Sequence, residues 1–201
     1  MSTIPVGIST SRPIAHLKID EERGRYGMWL LILTEGCLFV DLFFSYFYVG
    51  NRTHRWMEET APKLHYVLPM LAILIASSFI LHIFGEKQLK KGNYGMARLG
   101  VVITIIFGLG FLVLEGLDFR EHWPHTNFMS DSYGSVFNTI LSFHAAHVIV
   151  GLLMLGYVLF LPFGPVDKTP YRPLHNASLY WHFVDVVWIF VIIILYLPPN
   201  L

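Results

Sequence analysis

The chain has 201 residues, 54% of them hydrophobic and only 14% charged, with 14 basic residues balanced by 14 acidic ones. A soluble domain carries about a quarter charged residues, so this composition excludes an ordinary water-facing surface; the apolar surplus would aggregate in water and is at home in lipid. The balanced charge excludes a nucleic-acid-binding field, and a single cysteine, Cys37, excludes an internal disulfide.

Residues 1–26 are polar and mixed in charge, running from Ser9, Thr10, Ser11 and Arg12 to Asp20, Glu21, Glu22 and Arg23. They lack the short apolar core of a cleavable signal and the acid-poor character of a transit peptide. They read as a tail on the membrane surface that leads into the first span. Hydrocarbon about 30 Å thick needs roughly 20 consecutive apolar residues in a helix. Five stretches qualify, at 27–48, 65–84, 97–117, 136–161 and 179–197. Residues 27–201 therefore read as one all-α domain, a polytopic bundle of five transmembrane helices. The links carry loop punctuation: Gly50 and Asn51; Lys90, Lys91, Gly92 and Asn93; Pro124, Ser130 and Asp131; then Pro162, Gly164, Pro165, Pro170 and Pro173.

The arrangement of Lys and Arg gives the expected orientation. The tail, the second link and the fourth link carry ten of them, against four (Arg52, Arg55, Lys63 and Arg120) on the other side. Ten against four predicts a cytoplasmic amino terminus and an outside carboxyl terminus. Aromatic residues mark the ends of spans, where amphipathic rings sit at the interface: Tyr26 and Trp29 open the first, Tyr46 and Tyr48 close it, Tyr180 and Trp181 open the fifth, and Tyr196 closes it. Ordinary packing inside the bundle is the competing explanation for the same residues.

Ionisable groups at membrane depth are expensive and persist where they face a partner, a cavity or a function. Glu35 lies about a third of the way into the first span. It is either a protonatable carboxyl near a proton route or a carboxyl hydrogen-bonded to a neighbouring helix. Asp41, about 240° further round the same helix, cannot share its face and calls for a partner on another helix or subunit. Glu115 and Asp118 share a face at the end of the third span, where a cation site, acid–base work or a solvated or salt-bridged pair are the choices. His144 and His147 share a face of the fourth span, and His182 and Asp185 share one of the fifth.

Imidazoles on facing helices hold haem in membrane cytochromes, and His with carboxylate holds metals. Against a redox centre, the spans contain no Glu-x-x-His repeat of the di-iron bundles. The two fourth-span histidines are also stacked within one turn rather than well separated. Gly108, Gly110, Gly116 and Gly151, with Ala145 and Ala146, permit close helix approach. No phosphate loop or nucleophile–base–acid set is visible, and neither are the inverted repeats and broken helices expected of a stand-alone proton-coupled carrier. The residues by themselves describe a membrane subunit with buried ionisable groups rather than a self-sufficient enzyme.

Five strings, in order, carry a family resemblance: GMWLLILTEGCLF (Gly27 to Phe39), LEGLDF (Leu114 to Phe119), SDSYGSVF (Ser130 to Phe137), FHAAHVIVG (Phe143 to Gly151) and YWHFVDVVW (Tyr180 to Trp188). Together they resemble subunit III of the haem–copper respiratory oxidases. In FHAAHVIVG, Ala145 and Ala146 stand where that family has Gly and Leu.

The resemblance implies a bacterial inner-membrane subunit of a proton-pumping oxidase that reduces dioxygen to water. It implies no catalytic residue, redox centre or metal in this chain, with haem and copper held by partner subunits. The implied partners are catalytic subunit I directly, subunit II and a small subunit IV in the same complex, and bound phospholipid, with no nucleic acid. Glu35 would be the family's buried carboxyl near the proton-uptake side. Glu115, Asp118, His144, His147, His182 and Asp185 would form a polar interior that ties helices together or reaches lipid head groups.

Long members of that family have seven spans, whereas this chain starts where their third begins, so their lipid cleft cannot form within it alone. Where long members carry a Glu seven residues before the His of the last motif, this chain has His175. Five-helix forms occur in quinol oxidases and in bacterial cytochrome c oxidases, and Glu35 favours cytochrome c because quinol-type relatives often have Asp there. A nitric oxide reductase accessory subunit shares the scaffold and is the other alternative.

Overall fold

Hydrocarbon offers no water to pair backbone N–H and C=O groups, so a spanning segment must satisfy them within itself. The computed structural model describes residues 14–53, 64–122, 132–161 and 171–197, and every element among them is helical. Helix α1 is Ile14–Thr53, α2 is Leu64–Ile80, and α2 runs through a π-helical turn, Leu81–Glu86, into the short α3, Lys87–Lys90. Then come α4, Tyr94–His122, α5, Ser132–Phe160, and α6, Tyr171–Val191, which ends in a second π-helical turn, Ile192–Tyr196. Five rods, at 24–52, 66–90, 94–121, 134–160 and 172–196, are long and apolar enough to cross a membrane.

These rods overrun the apolar runs of the sequence at most ends. Helix α1 already begins at Ile14, inside the polar segment expected to lie on the membrane surface, and its 40 residues make a rod of about 60 Å. The links at 54–63, 123–131 and 162–170, with Pro124 and Pro165 among them, lie outside the described residues. The link between α3 and α4 is described. Gly92, at φ +79°, takes the left-handed position after the helix, the Gly92 N–H donates to Leu89 O at 3.1 Å, and the Asn93 N–H donates to Gln88 O at 2.9 Å.

Helix α6 is the centre of the bundle. It touches α1, α2 with its π turn, and α5, and half of its spanning window is buried (50%), against 17% for α1. Helix α1 leans on α5 and α6 from the edge. Trp181 of α6 lies in a slot between two glycines. A Cβ added at Gly108 of α4 would come within 2.7 Å of its ring, and one at Gly151 of α5 within 2.8 Å. Gly110 and Gly116 face open space instead. The crossing that sets a glycine against backbone atoms involves a residue the sequence did not single out. A Cβ at Gly100 of α4 would lie 2.7 Å from the backbone nitrogen of Gly85 in the π turn.

The aromatic residues divide between two roles. Tyr26, Trp29 and Tyr48 are exposed, as interfacial rings are, whereas Tyr46, Tyr180, Trp181 and Tyr196 are buried. The last rod begins at Arg172, which sets Tyr180 and Trp181 two turns inside the bundle rather than at its rim. For these four, core packing wins.

Candidate functional site

Histidine–carboxyl pairs dominate the polar groups at membrane depth, three of them crossing between helices and two lying within one helix or turn. All five histidines whose side chains are described lie within 4 Å of a carboxyl oxygen. The pairing has a simple electrostatic basis. A neutral imidazole beside a neutral carboxyl, or an imidazolium beside a carboxylate, leaves no net charge in the hydrocarbon.

His144 and His147, one turn apart on α5, diverge to different neighbours. His147 reaches α1, where its Nε2 lies 3.0 Å from Glu35 Oε2, and its Nδ1–H donates to the Phe143 carbonyl at 2.6 Å. Because a carbonyl only accepts, Nδ1 is fixed as a donor. One further proton then occupies the Nε2···Oε2 line, on either atom. Phe39 sets its edge against the imidazole, ring centroids 4.9 Å apart. The Glu35 side chain is 32% exposed, so the pair opens at the margin of the bundle.

His144 repeats the design in the interior. Its Nε2–H donates to the Val184 carbonyl at 3.4 Å, which turns Nδ1 toward Glu115 Oε1 of α4 at 3.6 Å. This imidazole is fully buried, 4.7 Å from Trp188 and 5.6 Å from Phe111 by ring centroids. Glu115 and Asp118, both buried, part company: Asp118 accepts the Tyr196 hydroxyl at 3.0 Å, which ties α4 to the second π turn. The pair is not a solvated one. Glu115 also lines a cleft between α4 and α5, floored by the small residues Gly116, Ala145 and Ala146.

His182 and Asp185 of α6 do face each other, at 3.8 Å, and Asp185 also accepts a hydrogen bond from the Ser78 hydroxyl of α2. Alongside, the Trp181 indole donates to Ser77 Oγ at 3.0 Å, Ser77 Oγ donates to Leu74 O at 2.7 Å, and Thr104 Oγ1 of α4 reaches Ser77 O at 3.3 Å. This seam fastens α2, α4 and α6. Interhelical hydrogen bonds in membranes average about 0.6 kcal/mol and reach about 1 to 2 kcal/mol. Ser78→Ala, which removes the donor from a buried carboxyl, is expected at the upper end of that range. The check is a modest drop in the thermal unfolding temperature of the detergent-purified protein; an unchanged temperature would mean Asp185 is held by other contacts.

One buried carboxyl escaped the sequence reading. Glu86, in the first π turn, is 6% exposed and bridges His82 Nδ1 of the same turn at 3.4 Å and His175 Nδ1 of α6 at 3.1 Å. It lies just past the apolar run 65–84, among lysines, and so looked like part of a solvated link. The signal was His82, four residues earlier and on the same helix face. His175, which stands where long oxidase subunits carry a Glu, is thus the partner of a carboxyl on another helix. Among the described residues, no three His, Cys, Asp or Glu side chains converge in a way that could hold a metal ion.

The rods and their internal pairs define an integral membrane protein of the helical-bundle class, whose buried ionisable groups mostly serve one another across helices. Comparison with known proteins gives the family. The model described as "Cytochrome c oxidase subunit III" matches residues 15–198, and the chain belongs to that family. It is 32% identical over 176 residues to cytochrome c oxidase subunit 3 of Synechocystis sp., covering 86% of this chain and 74% of that one. It is 31% identical to the Bacillus subtilis subunit 3, over 85% of this chain and 84% of that one. With the probable subunit 3 of Mycobacterium leprae it shares 33% identity, over 84% of each chain. A subunit of this family works among other oxidase subunits in the respiratory chain.

Proposed function

We propose that this chain is the subunit III of a bacterial inner-membrane cytochrome c oxidase that reduces dioxygen and pumps protons. It holds no redox centre; haem and copper reside in its partners. It packs beside catalytic subunit I, with subunit II and a small subunit IV in the same assembly, and keeps proton uptake working through repeated turnover. The excess of Lys and Arg at its amino-terminal side supports a cytoplasmic amino terminus, which sets Glu35 in the cytoplasmic half, where protons are drawn in. Phospholipid filling the small-residue cleft beside Glu115 belongs to the same proposal.

The observation that carries the reading is the Glu35–His147 pair: a carboxyl and an imidazole 3.0 Å apart, with the carboxyl open on one side. Glu35→Gln tests it. Glutamine can still hydrogen-bond to His147 Nε2 but cannot accept or release a proton, so assembly is preserved while the proton function is lost. The expected result is a complex with normal haem content and normal initial rate whose activity declines severalfold faster during sustained turnover. An unchanged decline would remove Glu35 from proton uptake and leave the pair a structural tie.

A further inference from the structure

The outward face of α1 is polar where lipid contact calls for apolar side chains. Thr34, Cys37, Asp41, Ser45, Tyr48 and Arg52 follow one another at intervals of three or four residues, and each is exposed. At 100° per residue they fall within about 80° of arc. The buried residues of the same helix, Phe39, Phe43 and Tyr46, lie on the opposite side, against α5 and α6. The stripe therefore points straight away from the bundle, flanked by ordinary lipid-facing residues such as Val40 and Phe44.

Asp41 is the unusual member. About 16 Å of helix separate it from Arg52 at the end of the rod, and about 25 Å from Gly24 at the other end. It therefore sits near mid-membrane. Among the described residues it has no hydrogen bond or ion pair, unlike Glu35, Glu86, Glu115, Asp118 and Asp185, which all face partners inside this chain. Nearer the membrane surface, the Arg52 guanidinium donates to the Tyr48 hydroxyl at 2.9 Å, so that end of the stripe is already ordered.

We propose that this stripe is the docking face for a transmembrane helix of another oxidase subunit, one that presents an N–H donor side chain, basic or amide, at the depth of Asp41. Three occupants compete for the face. Lipid head groups satisfy Tyr48 and Arg52 but do not reach mid-membrane. A second copy of this chain, docked by two-fold symmetry on the same stripe, brings Asp41 against Asp41, where like carboxylates repel, and supplies no N–H donor at that depth. A foreign helix with a donor satisfies the carboxyl, and its backbone can approach closely over Cys37 and Ser45, whose side chains are small. The inference rests on the chain's place in an oxidase complex and adds which face is engaged, and by what chemistry.

The test uses the assembled complex. A photo-crosslinking amino acid placed at position 37 should join this chain to another oxidase subunit, identified by mass spectrometry, whereas the same probe at position 40 should not. Asp41→Leu should reduce retention of that subunit severalfold during detergent purification, Asp41→Asn should reduce it less because an amide still accepts, and Val40→Leu should leave it unchanged. Since Asp41 makes no hydrogen bond or ion pair among the described residues, these variants spare the chain's own fold. Crosslinking at position 37 only to lipid, or to a second copy of this chain, overturns the proposal, as does full retention with Asp41→Leu. If the wild-type preparation contains no haem-bearing partner, the proposed function falls with it. If the haem-bearing complex is intact but position 37 reaches no neighbour, only the docking face falls.

Discussion

Gly100→Leu is expected to remove the chain from the membrane almost entirely. In an open helix, replacing glycine by a good helix former stabilises by about 1 kcal/mol, so the sign of this prediction depends on the crossing with the first π turn. There a Cβ at position 100 would lie 2.7 Å from Gly85 N and 2.8 Å from both the carbonyl carbon and the Cβ of Phe84. Two of those three atoms are backbone, so no rotamer change relieves the overlap. The helices must part instead.

Parting them is severe in lipid. Association of transmembrane helices draws on close packing and interhelical hydrogen bonds rather than on escape from water. Overpacking a tight site costs about 1 to 3 kcal/mol, occasionally more, and here it also pulls Thr104 away from the Ser77 carbonyl one turn further along. Gly100→Ala should show the same loss in milder form, because the overlap begins at Cβ. Gly110→Ala should be harmless, since nothing lies within 4 Å of its Cβ. Quantifying the chain in membranes reads all three. Normal levels of Gly100→Leu would mean that α2 and α4 do not cross where the structure places them.

The number and order of the spans were legible in the sequence because hydrocarbon thickness fixes the length of an apolar run. The faces of those spans were not. In water, an amphipathic stripe tells a helix which side to bury. In lipid, both the core and the surroundings are apolar, and Phe39, which is buried, looks no different from Phe44, which is exposed. Glu35 and His147 were each visible as out of place at membrane depth, but they lie 112 positions apart and only the packing of α1 on α5 brings them together.

Gly100 was missed for a related reason. It packs against the π turn Leu81–Glu86, which adds a residue to the helical turn and shifts every face beyond it. Regular 3.6-residue counting from the start of α2 therefore fails at its end. Asp41 is the contrary case: the sequence asked for a partner, the described residues supply none, and the mismatch itself points outward.

Trp181→Ala is expected to be the most damaging single truncation in the bundle. In a water-soluble protein the loss would combine a transfer term with a cavity term, together about 3 to 5 kcal/mol. Here the transfer term largely drops out, because a displaced α6 would expose the indole to lipid rather than to water. The cavity term remains, at roughly 24 cal/mol per Å³, and the slot has little means of closing. Its walls are Gly108 and Gly151, which have no side chains to move inward, on helices held at fixed spacing by their other contacts. An indole-sized void then costs about 3 kcal/mol, several times the roughly 0.6 kcal/mol of the hydrogen bond to Ser77 that is lost with it.

The two contributions separate experimentally. Trp181→Phe gives up the hydrogen bond but keeps most of the ring, so it should lose less than half as much stability against thermal dissociation as Trp181→Ala. Adding Gly151→Leu to Trp181→Ala should recover part of the loss by filling the slot from the opposite wall. The same Gly151→Leu in the wild-type background should be damaging, since its Cβ alone would sit 2.8 Å from the indole. If Trp181→Phe proved as harmful as Trp181→Ala, the hydrogen bond to Ser77 rather than the filled slot would be what holds α6 at the centre.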